Sequence, residues 1–360
     1  MKVLMISLDR GLFGGGSSGD VLERHKRYAE MAGKLDVIVF ASAEYEEKEI
    51  DENLKIYPTK SEKHQHFSKA ETLALSLAKT KKYDLLVTQD FAAPAGIKLK
   101  RILHIPWIVT IHGMFFSAEW LGFSPLNWYL FYRIKKALFF ADAFRVNNNI
   151  IEKRLLEWGI DKQILVSPTP VDVEKFLAVK KQLNPGMIRI LFVGRLSPEK
   201  NLEMLINVFK MISGNLELLI VGEGSREEIL KDLAKDDRRI KFLGPKSYDE
   251  LPEVYSKSDI FVLPSNTETY GKVLFEAAAS GAAIVATKTT GARSIFSDNE
   301  VLFVEIGNAE SLGAAITKLA LDEGLRTSLA NRARETARLY NREEAMARLV
   351  NFWKKVAGKS

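Results

Sequence analysis

Residues 260–280 read IFVLPSNTETYGKVLFEAAAS, and this stretch decides the fold class of the chain. The apolar run Ile260–Leu263 is typical of a buried β-strand, Pro264-Ser265 favours a turn, and Val273–Ser280 has a helical pattern. A short apolar strand followed by a loop and a helix is one unit of a parallel α/β sheet. Open parallel sheets bind ligands at the carboxyl ends of their strands, so this loop is a candidate site.

The same alternation of short apolar runs and helical patterns extends through the chain. In the first half the strand-like runs are Val3–Leu8, Val37–Ala41, Leu85–Thr88, Trp107–His112 and Phe144–Asn147, and the helical runs include Asp20–Ala32 and Ser68–Lys79. After a turn at Gln182–Gly186 the strand-like runs are Arg189–Val193, Leu216–Val221, Ile240–Leu243, Ile260–Leu263, Ala283–Ala286 and Leu302–Val304, and the helical runs are Asn201–Ser213, Arg226–Ala234, Tyr248–Lys257 and Val273–Ser280.

These patterns predict an α/β fold with two Rossmann-like, doubly wound parallel-sheet domains, because near-continuous apolar strands need helices on both faces. We expect the first domain at residues 1–182 and the second at 183–340, facing each other across a cleft. The tail from Ser311 to Lys355 has a helical pattern, and we expect residues 341–360 to form a helix that crosses back onto the first domain.

The composition excludes several kinds of site. The chain has 360 residues, a formal net charge of +6, no cysteine and five histidines without metal-ligand spacing. Disulfides, thiolate chemistry and cysteine-ligated metals are therefore excluded. The charge suits an anionic ligand or membrane surface, and no recognised nucleic-acid motif accompanies it. We expect no signal peptide and no bilayer-spanning segment, and therefore a cytoplasmic location, with peripheral contact at the inner face of the membrane as an open alternative.

A glycine-rich loop, Leu12–Asp20, lies between the first strand and the first helix. Glycine permits close backbone approach, and the following helix directs free N–H groups and its positive dipole end at the loop. Gly15 and Gly16 are therefore candidates to contact a phosphate or a hydroxylated acceptor. The loop is neither a P-loop nor a clean dinucleotide fingerprint, so a flexible turn stays an alternative.

A second candidate loop, Gly194–Asn201, follows the strand Arg189–Val193. Arg195 and Lys200 bracket a tight turn there, so both side chains are expected to reach one dianionic group such as a diphosphate. Two solvated surface cations are the alternative.

The third candidate is the opening loop itself, in which Glu268 and Glu276 lie eight positions apart. Gly271 and the residues after it place backbone N–H groups at a helix start, where an anion is favoured. One carboxylate is then available for sugar hydroxyls and the other for a ribose diol. A solvated helix face for Glu276 is the alternative.

Together these segments resemble the retaining glycosyltransferases of family 4, the group 1 class with the GT-B fold. The resemblance is strong from Arg189 to Val304 and extends more weakly to the glycine loop and to Thr110–Gly113. The matching segments are Glu268–Glu276 (E-x7-E), Gly194–Lys200 (G-R-x-x-x-x-K), Gly222–Gly224 (G-x-G), Phe242–Gly244 (F-L-G) and the stretch from Leu251 to Ser265.

The resemblance implies a hexosyltransferase-type enzyme that uses a nucleoside diphosphate sugar. It implies catalytic roles for Glu268 and His112, which face the transferred sugar, and for Arg195 and Lys200, which neutralise the departing diphosphate. Glu276 would bind the ribose hydroxyls. The other donor-binding residues that it implies are Gly15, Gly16, Gly194, Glu223, Gly244, Tyr270, Gly271, Lys272 and Val273.

The sequence departs from the family pattern at three places. Thr269 replaces a small residue, Thr169–Asp172 replaces N-G-V-D, and Thr290–Ser294 lacks the acidic member of G-G-x-P-E. These departures bear on the recognition of the donor sugar more than on the chemistry.

We expect transfer without a metal or other cofactor. Fixed cations and a helix N-terminus are one way to stabilise a leaving diphosphate, and a metal held by an Asp-x-Asp pair is another. The sequence contains no D-x-D tripeptide. Retention of the anomeric configuration is implied by the resemblance.

Residues 115–140 are crowded with aromatic and basic side chains. At helical spacing, Ile134 and Ala137 lie on an apolar stripe, whereas Tyr129, Lys136 and Phe140 share the opposite face. Aromatic and basic residues outside a core suit a membrane interface or a lipid-linked acceptor. A bulky core or an oligomer contact is the alternative.

Other functions of the same fold stay open at this point. They are a nucleotide-sugar epimerase, a phosphorylase, for which no pyridoxal-binding lysine is evident, and a non-catalytic nucleotide-sugar sensor. A dehydrogenase is disfavoured by the poor dinucleotide fingerprint.

Overall fold

A computed structural model describes residues 1–14, 20–113, 115–182 and 186–359. The chain forms two compact units, one of Met1–Pro170 with Glu343–Ser360 and the other of Val171–Arg342. The second unit starts at Val171 rather than at the expected residue 183 because Val173 and Phe176 are buried in its core.

The first unit contains a parallel sheet with one short antiparallel edge strand. The spatial order is β3-β4-β2-β1-β5-β6-β7-β8, in which β3 and β4 pair antiparallel and the other neighbours pair parallel. The strands are β1 (Lys2–Ser7), β2 (Lys34–Val39), β3 (Lys48–Glu49), β4 (Leu54–Pro58), β5 (Leu85–Gln89), β6 (Trp107–Ile111), β7 (Ala143–Val146) and β8 (Gln163–Val166).

Helices cover both faces of this sheet. In β1, Val3 and Met5 belong to one core, whereas Leu4 and Ile6 belong to the other. Successive side chains of a strand point to opposite faces, so a strand buried on both sides has a continuous apolar sequence. The helices are α1 (Val21–Ala32), α2 (His66–Thr80), α3 (Ala93–Leu103), α4 (Ala118–Leu121), α5 (Pro125–Leu138) and α6 (Asn149–Glu157).

The second unit contains a fully parallel sheet in the order β11-β10-β9-β12-β13-β14. Its strands are β9 (Ile188–Val193), β10 (Leu216–Val221), β11 (Ile240–Gly244), β12 (Ile260–Leu263), β13 (Ala283–Thr287) and β14 (Val301–Val304). Its helices are α7 (Val173–Leu177), α8 (Leu202–Met211), α9 (Glu227–Ala234), α10 (Leu251–Ser256), α11 (Lys272–Ala279), α12 (Thr290–Arg293), α13 (Ala309–Leu321) and α14 (Glu323–Arg338).

The last helix, α15 (Arg342–Val356), packs on the first unit. Met346, Leu349 and Trp353 are buried in the same core as β1 side chains, and the rings of Trp353 and Tyr28 meet edge-on with centroids 5.6 Å apart. The predicted helical tail is interrupted at Asp322. This residue ends α13, and its carboxylate caps α14 by accepting the N–H of Leu325 at 2.8 Å.

The predicted fold class is confirmed: two parallel-sheet α/β units, with helices at the C-terminal end of the chain. The sequence patterns missed β3, β4 and β8. Strand β8 lies at the sheet edge and is only partly buried, so its pattern is weak. Within the described ranges, no helix has the length and apolar character needed to cross a membrane.

Candidate functional site

In the second unit, four loops come together at the carboxyl edge of the sheet. They follow β9, β10, β11 and β12, which neighbour one another in the sheet. Backbone hydrogen bonds join these loops in pairs, so the edge is held in one conformation. The bonds run from the Leu196 N–H to the Glu223 carbonyl (2.9 Å), from the Gly222 N–H to the Gly244 carbonyl (3.0 Å) and from the Asn266 N–H to the Glu199 carbonyl (2.8 Å).

Two glycines allow these loops to approach closely. A Cβ atom at Gly222, whose φ is +133°, would lie 1.9 Å from the carbonyl oxygen of Gly194. A Cβ atom at Gly291 would lie 2.7 Å from the carbonyl oxygen of Glu268, which accepts the Gly291 N–H at 2.8 Å. Gly291 belongs to Thr290–Ser294, the segment that lacks the acidic residue of the family pattern. This segment therefore holds the Glu268 backbone through the Gly291 N–H and not through an acidic side chain.

Lys200 and Glu268 form an ion pair across this edge. Only 15% of the Lys200 side chain and 11% of the Glu268 side chain are exposed, and the Ser265 hydroxyl donates to the same Glu268 oxygen, Oε1, at 3.0 Å. Two largely buried charges compensate each other's desolvation. Removing one would leave the other buried without a partner, which lowers the stability of the fold. The structure thus brings a predicted phosphate ligand and a predicted sugar ligand into direct contact.

Arg195 is held far more loosely than Lys200. Its side chain is 80% exposed and lies 3.5 Å from the Glu199 carboxylate. Burial by itself raises the pKa of Glu199, but a 2.7 Å hydrogen bond from Ser197 and the nearby cations lower it overall. Glu199 is therefore an anion between the two cations, and Arg195 is the more exposed cation of the two.

The start of α11 follows directly on this cluster. Gly271 caps the helix in the left-handed conformation, with φ of +76° and ψ of +53°. Lys272 and Val273 are its first two residues, and the first N–H groups of a helix have no carbonyl partner within it. The helix starts at Lys272, one residue before the predicted Val273, and it presents the positive end of the helix dipole at the edge.

Glu276 lies on the buried side of α11 and not on a solvated face. It is 4% exposed, and the hydroxyl of Tyr255 donates to its Oε2 at 3.0 Å. Burial and the adjacent Glu276 carboxylate both raise the pKa of Tyr255 well above its ordinary value. Tyr255 therefore stays a hydrogen-bond donor, which fixes one oxygen of Glu276.

The remaining predicted donor-binding residues of this unit differ in placement. Glu223 is exposed, and Gly244, with φ of +67°, ends β11 at the edge. Tyr270 is buried, with its ring 5.7 Å from that of Phe275, so the side chain packs in the core. Contact of the Tyr270 ring with a donor stays a prediction that this burial disfavours.

In the first unit, His112 is held by Asp90. The Asp90 carboxylate accepts the backbone N–H groups of His112 and Gly113 at 2.7 and 3.2 Å, and its second oxygen lies 2.9 Å from the His112 Nδ1. A carboxylate accepts, so Nδ1 carries the proton and Nε2 is left as the acceptor of the ring. Asp90 has a φ of +43°, a conformation that is uncommon outside glycine.

A second contact holds the His112 backbone. The side-chain amide of Asn147, a residue that is 5% exposed, donates to the His112 carbonyl at 3.0 Å. The Thr169 hydroxyl donates in turn to Asn147 at 3.3 Å. The loops after β5, β6 and β7 thus meet at the carboxyl edge of this sheet. Gly15 and Gly16 lie outside the described residues.

Four supporting residues were not predicted as site residues from the sequence. Asp90 and Glu199 contact predicted residues from positions that motif spacing does not single out. Ser265 and Tyr255 lie in the stretch that matches the family pattern, but no site role was predicted for them. For Asp90 a signal was present, since a carboxylate directly after a buried parallel strand lies at the ligand-binding edge.

Family models account for most of the chain. The model described as "Glycosyltransferase Family 4" matches residues 15–175, and the model described as "Glycosyl transferases group 1" matches residues 174–336. Each of these stretches contains one of the two candidate clusters described above.

Curated relatives of this chain are named as glycosyltransferases. An uncharacterised glycosyltransferase of Methanocaldococcus jannaschii is 29% identical over 267 residues, 72% of each chain. An N-acetylgalactosaminyltransferase of Campylobacter jejuni, named for a diphospho-undecaprenol substrate, is 33% identical over 159 residues. That alignment spans 42% of this chain and 43% of the relative, so the chain spans less than half of that relative's length.

Solved structures share the fold over the full chain. Sucrose-phosphate synthase from Thermosynechococcus elongatus superposes with a TM-score of 0.88 at 19% identity, covering 100% of both chains. The Anabaena protein HepE, solved with UDP-glucose, superposes with a TM-score of 0.77 at 18% identity, covering 98% of both chains. At these identities the likeness shows the fold alone.

Proposed function

The chain belongs to the glycosyltransferases of group 1 and family 4, with the GT-B fold, and from this membership we propose a retaining, metal-independent sugar transfer. The donor is a nucleoside diphosphate sugar and the acceptor is a glycan or a lipid-linked sugar. The observation that carries the proposal is the Lys200–Glu268 pair at the mouth of α11, with Arg195 beside it.

The proposed role of the two cations follows from the charge that the reaction creates. When the bond between the anomeric carbon and the phosphate oxygen breaks, the electron pair stays on the diphosphate. Arg195 is free to swing onto the outgoing group, whereas Lys200 is already fixed at the loop edge. The N–H groups of Lys272 and Val273, at the positive end of the α11 dipole, stabilise the same negative charge on the diphosphate. No divalent ion is needed for this charge balance.

Glu268 is proposed to bind hydroxyls of the transferred sugar. Its Oε1 is occupied by Lys200 and Ser265, which holds the carboxylate in place beside the cation that binds the diphosphate. The acceptor hydroxyl attacks from the face that the diphosphate leaves, and its proton passes to the leaving phosphate oxygen. The anomeric configuration is retained in this scheme.

Glu276 is proposed to accept the ribose diol of the donor. A carboxylate takes two hydroxyl hydrogen bonds well when its own position is fixed. Tyr255 fixes it, and Gly244 and Glu223 belong to the neighbouring loops. His112, oriented by Asp90, is proposed to accept a hydrogen bond from a hydroxyl of the transferred sugar through Nε2.

Relatives and structural neighbours support the substrate classes. HepE was solved with UDP-glucose, which supports a nucleoside diphosphate sugar as donor. The Campylobacter relative is named for a diphospho-undecaprenol substrate, which supports a lipid-linked acceptor. We also propose a cytoplasmic location with peripheral contact at the inner membrane face through residues 115–140, on the strength of their aromatic and basic side chains.

The test is release of free nucleoside diphosphate from a panel of donor sugars, with and without candidate acceptors and with excess chelator. We expect acceptor-dependent release, unaffected by chelator, and retention at the anomeric carbon by NMR. Replacing Arg195 by Gln at its exposed site should lower turnover about tenfold, and Lys200→Met should lower it by about a hundredfold or more. Loss of turnover in chelator, or full turnover in both variants, contradicts the proposal.

The control is Lys241→Met, which removes a different lysine that pairs with a glutamate in the same unit. Lys241 bonds Glu217, and both lie within strands rather than in the loops at the carboxyl edge. Its turnover should equal that of the parent enzyme. Thermal unfolding of each variant separates a loss of chemistry from a loss of structure.

A further inference from the structure

A row of hydrogen-bonded side chains leads to His112 from the end of the first unit. Arg145 lies within β7 and is 2% exposed, and its guanidinium donates to the Thr169 hydroxyl at 3.4 Å. The Thr169 hydroxyl donates to the Asn147 side-chain oxygen at 3.3 Å, and the Asn147 amide donates to the His112 carbonyl at 3.0 Å. Three polar side chains in a row therefore end at the backbone of a proposed site residue.

The direction of these hydrogen bonds is fixed where the row begins. An arginine guanidinium has donors and no acceptor, so the Thr169 oxygen accepts from Arg145 and its own proton points to Asn147. That proton selects the oxygen of the Asn147 amide, which leaves the N–H₂ end for the His112 carbonyl. A reversed amide would place its oxygen against the His112 carbonyl oxygen, and two acceptors do not bond.

The backbone that carries the Asn147 side chain is held by its neighbours. Strand β7 ends one residue before it, and Asn148 caps α6 by accepting two backbone N–H groups of that helix at 3.1 and 3.0 Å. Asn147 itself is 5% exposed. The rotation of its amide about the last side-chain bond therefore decides which group meets His112, and Thr169 sets that rotation.

The Thr169 backbone is anchored on both sides as well. Two residues before it, the Ser167 N–H donates to the carbonyl of the last residue of β7 at 2.9 Å, next to the β7–β8 pairing. Two residues after it, the Val171 N–H donates to the Tyr340 hydroxyl at 3.2 Å. Pro170 lies between, and its ring restricts the backbone further. The Thr169 hydroxyl is therefore held in place by the chain on either side.

We propose that Thr169 is a positioning residue for His112 and acts through Asn147. Asp90 holds the N–H side of the His112 backbone and the ring Nδ1, whereas Asn147 holds the carbonyl side. A ring that presents Nε2 to a sugar hydroxyl needs both supports, because a hydrogen bond weakens as its geometry departs from the optimum. This assigns a role to the residue that stands in place of the asparagine of N-G-V-D. The inference rests on the proposed role of His112 in sugar transfer.

The experiment observes the His112 carbonyl directly by NMR. His112 is the one histidine in the sequence that a glycine follows. Isotope labelling of the histidine carbonyl carbons and the glycine amide nitrogens therefore gives a single correlation peak, from His112 and Gly113. The Asn147→Ala variant marks the peak position without the hydrogen bond. We expect Thr169→Val, which keeps the side-chain shape and removes the hydroxyl, to move the peak towards that position, and Thr169→Ser to restore it.

Kinetics measure the consequence for turnover. Loss of a neutral hydrogen bond from the row should lower kcat/KM by about two- to tenfold in Thr169→Val, and Thr169→Ser should recover most of that loss. The affinity for the free nucleoside diphosphate that the donor panel identifies (UDP, GDP or ADP) should not change, because this ligand has no sugar for His112 to contact. A general loosening of the fold would lower both.

The matched control is Thr88→Val, which removes another threonine hydroxyl from the same sheet. Thr88 is buried in β5, and its hydroxyl oxygen accepts the ring N–H of Trp107 at 2.9 Å. The control should leave the His112 peak and kcat/KM as they are in the parent enzyme. Urea unfolding of every variant confirms that it is folded.

The outcomes separate this inference from the sugar-transfer proposal. A parent-like peak in Thr169→Val overturns the inference, and so does an equal peak shift in Thr88→Val. Parent-like kcat/KM in Thr169→Val also overturns it if His112→Gln is impaired. Parent-like turnover of His112→Gln contradicts the proposed role of that histidine instead, and the peak then still decides whether Thr169 positions it.

Discussion

The substitution Asp90→Asn separates the orientation of His112 from the stability of the loop. Asparagine keeps one side-chain oxygen for the two backbone N–H groups of His112 and Gly113. It also tolerates the positive φ of +43° at this position better than most residues do. In the parent enzyme a carboxylate oxygen of Asp90 faces Nδ1 at 2.9 Å. In the variant the amide N–H₂ of asparagine takes that place.

The expected effect follows from that one exchange. An amide donor favours the ring tautomer in which Nδ1 accepts and Nε2 carries the proton, so Nε2 no longer accepts a sugar hydroxyl. Losing a hydrogen bond between a sugar hydroxyl and the neutral His112 ring is worth about 0.5–1.5 kcal/mol, which corresponds to about a two- to 13-fold drop in kcat/KM. The free energy of unfolding should change by less than about 1 kcal/mol, because the backbone contacts survive.

The assay combines steady-state kinetics with nitrogen NMR of the histidine side chains. The chain has only five histidines, so the His112 ring can be assigned by comparison with a His112→Gln variant. The control is Asp142→Asn, since Asp142 also accepts a backbone N–H, from Trp107 at 2.9 Å, and binds Lys100 at 2.7 Å before β7 begins. A parent-like tautomer with reduced kcat/KM, or a switched tautomer with parent-like kcat/KM, refutes the reasoning.

Two further predictions concern stability. Gly222→Ala places a Cβ atom 1.9 Å from the Gly194 carbonyl oxygen, so we expect a loss of about 3 kcal/mol or more in unfolding free energy and weaker donor binding. Gly307→Ala, at φ +75° with open space around it, should cost only about 1–2 kcal/mol, and equal losses in urea unfolding would contradict the steric argument. For the buried ring of His25, burial first and then the nearby Arg24 lower the pKa to about 3, so protonation favours the unfolded state as pH falls from about 6.5 towards 3. Unfolding free energy should therefore fall by about 2 kcal/mol between pH 7 and pH 5, and the same loss in a His25→Gln variant would assign it to other groups.

Local patterns of sequence predicted the fold well where a strand is buried on both faces. The bounds of β10 and β12 are those expected, because runs such as Leu216–Val221 are almost wholly apolar. Strand β4 was missed since Lys55 interrupts its apolar residues, and β8 since an edge strand has few buried positions. The helical pattern also predicted the start of α11 to within one residue.

What the sequence did not contain is which distant side chains meet. Lys200 and Glu268 are 68 positions apart, and each was interpreted separately, as a phosphate ligand and a sugar ligand. The burial of Glu276 depends on Tyr255, 21 positions earlier, so helical periodicity alone left its face undecided. Asp90 and His112 meet because β5 and β6 are neighbours in the sheet, which only the strand order reveals.

The return of α15 to the first unit has a consequence for how the chain folds during synthesis. Translation delivers Met1–Pro170 first, then all of Val171–Arg342, and only then the side chains of Leu349, Val350 and Trp353 that complete the first core. Until the last turns of α15 leave the ribosome, apolar residues around Tyr28 remain open to water. The second unit, whose core lies in one continuous segment, can therefore fold before the first is closed, and a nonsense mutation near the end would damage the half made earliest.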